Sequence, residues 1–147
     1  MIQLLRDDTS TLISSVYLNV YDKMTNADYK VLTTVTSQLT GKSKTFLTST
    51  NYANKDRSLF FLILVCANLD AENLNTGTIF LGSTDYPLGF YDVTMYQNTS
   101  NTNLDPSGLT VIYNGLANLA PTSDAEPVTY SEYTTNDSDT ESVYITF

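Results

Sequence analysis

Residues 89–115 read GFYDVTMYQNTSNTNLDPSGLTVIYNG. Two runs of alternating apolar residues, Phe90–Gln97 and Leu109–Leu116, flank eleven residues, Asn98–Gly108, dominated by Asn, Asp, Ser and Thr. A period of two belongs to a strand half covered by a core, so the pair predicts two β-strands joined by a long polar reversal. Asp105-Pro106-Ser107-Gly108 has turn chemistry of its own. Pro sits where its fixed φ suits the second turn position, Asp where its carboxylate bonds forward to the backbone, and Gly at the close. Asn and Thr in the preceding QNTSNTN satisfy a looping backbone in the same manner. The competing reading is a ligand site, with the alternating oxygens of Asn101, Asn103 and Asp105 gathered on a cation or a sugar.

The same periodicity recurs outward from this stretch. Ile2–Leu4 reads as a short first strand, followed by a turn over Arg6–Thr9. In Thr11–Tyr21 the residues Val16, Leu18 and Val20 share one parity, and Tyr17, Asn19 and Tyr21 the other. The polar stretch 22–28 leads into the strand pattern of 29–39, and Gly41 turns the chain into KTFLTST as a hairpin. Leu59–Ala67 is continuously apolar and uncapped, and predicts a central strand covered on both faces. Residues 70–77 predict one helical turn, 78–82 extended structure, and STDYPLG a turn. After APTSDAEP breaks the chain, VTYSEY and ESVYITF complete the pattern around TTNDSDT. About eight to ten short strands at regular spacing predict an all-β antiparallel β-sandwich or jelly-roll-like fold, a single domain over 1–147.

Composition agrees. The chain is 41% apolar and 16% charged, and draws its polarity from Thr, which occurs 23 times, and from Asn and Ser. With 11 Tyr, this composition suits a pleated, half-exposed sheet. The apolar run Leu59–Ala67 is too short to cross a bilayer, so no membrane partner is expected. The opening MIQLLRDDTSTLISS lacks a basic segment followed by a long apolar one, and secretion by the standard route is not expected. The single Cys66, within SLFFLILVCA, reads as a small buried hydrophobe.

Charge is divided along the chain. All seven Lys and Arg lie in the first 57 residues, which hold five acids, a local net of +2; the remaining 90 carry eleven acids and no base. The acidic part repels phosphate backbones, so nucleic acid is not an expected partner. Opposite-sign parts, with Lys42 and Lys44 on the basic side, are suited to contact between neighbouring copies.

The chain holds no His, which removes Ser-His-Asp, Cys-His and histidine–metal chemistry. A carboxylate pair remains conceivable at Asp85 and Asp92, on either side of YPLGFY. Asp137, Asp139 and Glu141 alternate as hard-cation ligands do, but the calcium-loop pattern also needs Gly at its sixth position and Glu at its twelfth, and neither is present. Neither an enzyme nor a bound cofactor is expected.

The series YPLGFYDVTMYQNTSNTNLDPSGLTVIYNGL, with VTYSEYTTND and the end ESVYITF, resembles small virion proteins of tailed bacteriophages, including crAss-like and marine phages. Its specific part is Gly89-Phe90-Tyr91-Asp92-Val93, then Asn103-Leu104-Asp105-Pro106 with Gly108-Leu109, then the Tyr-rich end. The resemblance implies a non-enzymatic role in the virion, assembled in the host bacterial cytoplasm. The expected part is an auxiliary or decoration protein on the capsid, and the close alternative is a neck, tail or fibre-attachment component. Implied partners are the major capsid protein or head–tail proteins, and copies of the chain itself. A carbohydrate- or host-surface-binding module is the rival of a different class. Tyr91, Tyr113, Tyr130, Tyr133 and Tyr144, read as exposed on strands, are the expected interface anchors, with Lys42, Lys44 and the loop residues Asn101, Asn103 and Asp105.

Overall fold

A computed structural model of the chain describes residues 1–18, 30–48, 51–53 and 59–122. They form nine strands: β1 (Ile2–Arg6), β2 (Leu12–Leu18), β3 (Lys30–Ser37), β4 (Ser43–Leu47), β5 (Asn51–Ala53), β6 (Leu59–Cys66), β7 (Thr78–Phe80), β8 (Gly89–Asn98) and β9 (Thr110–Pro121). Sheet A has the order β1-β9-β8-β3-β4; sheet B has the order β2-β6-β5, with β7 also on β6. The fold is all-β and sandwich-like. It is not antiparallel throughout, because β1 pairs with β9 and β7 with β6 in parallel. No hairpin joins either pair, so nothing local dictates their direction.

Alternation places most of the core. On β8, Tyr91, Val93 and Met95 face inward, opposite Ser37, Val35 and Thr33 of β3. Ile2 and Leu4 of β1, Ala117 and Leu119 of β9, and Phe46 of β4 join them from sheet A. Val16, Leu18, Ile63, Val65 and Ile79 close the core from sheet B. Each Val, Leu, Ile, Phe or Met side chain so buried contributes roughly 1.5–3 kcal/mol.

Three expectations shift. β6 is central in its sheet: Ile63 and Val65 are buried on one parity, and on the other Cys66 is buried and Leu62 and Leu64 are half-buried, so the second face is covered less completely. The helical turn is a 3-10 turn at Leu69–Ala71, one residue earlier than expected. β9 runs on to Pro121 because β1 supplies it with a partner from Ala117 onward. Pro121 is tolerated at the last paired position, as proline is at strand ends. Cys66 is buried as expected, its thiol donating to the Ile79 and Asn68 carbonyls at 3.3 Å, and burial pushes that thiol above its ordinary pKa. The strands expected over 128–133 and 141–147, and the acidic trio Asp137, Asp139 and Glu141, lie outside the described residues.

Candidate functional site

The β8–β9 loop spends its polar groups on its own backbone. Asn98, buried at the end of β8, donates from Nδ2 to the Asn103 carbonyl (2.9 Å) and accepts Ser100 N–H on Oδ1 (3.1 Å). Ser100 Oγ accepts the amides of Thr102 and Asn103 at 3.1 and 3.0 Å. Asn103 accepts Asp105 N–H and donates to the Asp105 carbonyl, both at 3.0 Å. Asp105 Oδ1 accepts Ser107 N–H at 3.0 Å, a bond that holds its carboxyl below the usual carboxylate range. Gly108, at φ 75°, completes the reversal in a conformation that other residues seldom adopt. Of the three ligand candidates, Asn103 and Asp105 are thus committed to the turn, and Asn101 stands exposed. Among the described residues no three His, Cys, Asp or Glu side chains gather in a way that could hold a metal ion.

Of the two residues weighed as a carboxylate pair, Asp92 ties its carboxylate to the scaffold and Asp85 its main chain. Asp92 Oδ1 accepts Gln38 Nε2 at 2.9 Å, and the Asp85 main-chain carbonyl accepts the Thr40 hydroxyl at 2.6 Å. Both bonds tie the 83–89 loop and β8 to the β3–β4 turn.

Two expected anchors are corrected. Tyr91 is wholly buried, its hydroxyl donating to the Pro87 carbonyl at 2.6 Å, so it offers nothing to a partner. Its parity with Val93 and Met95 was the sequence signal for this. Tyr113 sits opposite Met95 on the inward parity and packs half-buried against the core. Its hydroxyl occupies the space that a side chain at Gly115 would need. Tyr130, Tyr133 and Tyr144 lie outside the described residues.

The basic pair is also divided. Lys42 is exposed at the β3–β4 turn. Lys44 turns inward: its ammonium bonds Glu72 Oε2, donates to the Phe80 carbonyl at 2.8 Å and lies 4.5 Å from the centre of the Tyr86 ring. Glu72 Oε2 also accepts Phe80 N–H at 2.8 Å. With 9% of the Lys44 side chain and 17% of Glu72 exposed, this cluster is an internal brace and not a contact charge.

Among the described residues the surface also presents a group of apolar side chains. At one end of sheet A, Leu39 (78% exposed), Leu88 (46%) and Phe90 (52%) stand close together, and with Gln38 and Gly89 they line a shallow hollow of about 320 Å³. A second hollow of about 260 Å³, lined by Arg6, Asp8, Gly82 and Pro121, shares Leu88. Leu116, opposite Asp92 and also exposed, continues the outer face. Phe90 lies on the parity opposite Val93 and Met95, a signal that the reading of Tyr91 as exposed passed over, whereas Leu39 and Leu88 sit in turns, where no periodicity assigns a side. Neither a family model, nor a curated protein, nor a solved structure matches the chain.

Proposed function

We propose that this chain is a non-enzymatic structural protein of a tailed-bacteriophage virion, an auxiliary or decoration protein bound in many copies to the capsid. The observation that carries the reading is the apolar end of sheet A. Leu39 and Leu88 in turns and Phe90 on β8 project beside one another, and clustered exposed apolar side chains mark contact surfaces between proteins. Phe90 belongs to the GFYDV stretch on which the resemblance to phage virion proteins rests. The loop that seemed the best ligand site is occupied with itself, which favours a protein-contact role over a glycan or metal one.

In such a role each interface is modest, and strength comes from repetition over a shell whose sites are held at fixed spacing. Quantifying the protein in purified particles tests the reading. Copies comparable in number to the shell subunits support it, a few per particle place the chain at the neck, tail or fibre base, and absence from particles overturns it. Phe90→Asp is expected to reduce incorporation at least tenfold, equivalent to about 1.4 kcal/mol of lost contact energy, without changing the fold.

A further inference from the structure

Sheet A ends laterally in β4 on one side and in β1 on the other, and the two edges differ. On β4, the bond from Ser37 N–H to the Lys42 carbonyl sets a register that turns the backbone groups of Ser43, Thr45 and Leu47 outward. The Tyr86 hydroxyl donates to the Ser43 carbonyl at 3.0 Å, and Leu47 N–H donates to the Leu74 carbonyl at 2.7 Å. Lys44 carries an inward charge between them. A covered edge with an inward charge is one that does not accept another strand.

On β1 the geometry is the opposite. Arg6 pairs with Pro121, and Thr122 N–H donates to the Arg6 carbonyl at 3.0 Å. In a parallel ladder of that register, Ile2, Leu4 and Arg6 bond to β9, while Gln3 and Leu5 direct N–H and C=O to the open side. Among the described residues nothing takes those groups. Ile2–Leu5 contains no charge and no Pro, and neither Gln3 nor Leu5 is buried.

We propose that β1 is a pairing edge, through which two copies of the chain join antiparallel to make one continuous sheet from two five-stranded ones. The occupant is a second copy because the strand complements itself. With Gln3 on the two-fold axis, Gln3 of one copy meets Gln3 of the second copy, and Leu5 meets Met1. Every outward-directed backbone group then faces another, in the isologous arrangement that closes a dimer. Inward, Ile2 and Leu4 are already enclosed in their own core, so the join adds backbone pairing and contacts of the outward side chains. Ile2–Leu5 carries no charged side chain in a chain of net charge −9, so the copies approach where their like charge opposes contact least. Leu5, level with Ala120, and Met1 are exposed apolar side chains that meet across the axis on the outer face.

Light scattering on the purified full chain tests this without any virion, so its outcome is separate from that of the virion reading. The wild type is expected at twice the 16.3 kDa chain mass. Gln3→Pro, which removes the donor on the axis and leaves the β9 ladder untouched, and Leu5→Lys, which places a charge on the edge, are each expected at the single-chain mass with an unchanged circular dichroism spectrum. Should either variant fail to fold, amide exchange of the wild type decides: Gln3 and Leu5 must be protected at concentrations where the dimer mass is seen. A single-chain mass for the wild type, a dimer that survives both substitutions, or one lost on Ile13→Lys or Ile145→Lys but not on Leu5→Lys overturns the proposal. In the last case the pairing runs through β2 or through the 141–147 segment.

Discussion

Lys44 and Glu72 show how much depends on a single pair of side chains. Each is largely buried, and each has its second bond on Phe80, the ammonium on its carbonyl and the carboxylate on its N–H. Removing one charge strands the other, a loss of about 3–5 kcal/mol, whereas removing both together costs far less. Lys44→Met is therefore expected to lower the urea-unfolding free energy by about 3 kcal/mol, and Lys44→Met with Glu72→Gln to recover most of it, since Gln keeps an acceptor for Phe80 N–H. Equal losses in the single and double variants would contradict the pairing. Tyr91 gives a pH signature. Burial, with a smaller contribution from Tyr86, pushes its phenol from about 10 up to about 12. Raised on folding, the group contributes stability that is whole below pH 10 and is lost as pH rises through about 12. Tyr91→Phe forfeits the bond to Pro87 and should be less stable by about 1 kcal/mol at neutral pH. Denaturation at a series of pH values should show that gap closing between pH 10 and 12.

At the scale of elements, the β8–β9 hairpin rests on Asn98 more than on any residue at its tip. Both ends of that buried amide are bonded within the loop, to Asn103 and Ser100. Asn98→Ala should cost about 1–3 kcal/mol by leaving buried backbone groups unsatisfied, while the exposed Asn101→Ala stays within about 0.5 kcal/mol of the wild type. Thermal melts of the two variants side by side distinguish a self-supporting loop from one organised around Asn101. This hairpin is also where reading the sequence succeeded and failed most clearly. The alternation of Phe90–Gln97 and the DPSG turn located both strands and their connection, because period and turn chemistry are local properties. The sides of β9 were not legible in the same way. A bulge between Met95 and Tyr96 shifts the pairing, so that Ile112 is buried and Tyr113 also turns inward. A bulge is decided by two strands together and leaves no period in either. The length of β9 depended likewise on β1, more than a hundred residues away in the chain.

At the scale of the whole molecule, two of the three basic side chains among the described residues are used within the chain. Lys44 is internal, and Arg6 is held against the chain itself, beside Asp8 and with its guanidinium 5.2 Å from the centre of the Phe80 ring. Lys42 remains a surface cation of the β3–β4 turn, next to the apolar end. If opposite-sign surfaces assist assembly, Lys42→Glu should weaken incorporation into particles at low salt, and the difference should fade as salt is raised. Loss of incorporation that is independent of salt would assign Lys42 a contact that is not electrostatic. The parallel pairing of β1 with β9 also bears on how the chain is made. The first strand of sheet A waits for a neighbour that leaves the ribosome last among the nine, on the order of ten seconds later at usual synthesis rates. In the later part of that interval the apolar β6 is already synthesised while sheet A, which buries its inward face, is unfinished. Folding is thereby deferred until the described strands are all present, and a nascent chain arrested before β9 should be bound by holdase chaperones and cut by proteases that leave the finished protein intact.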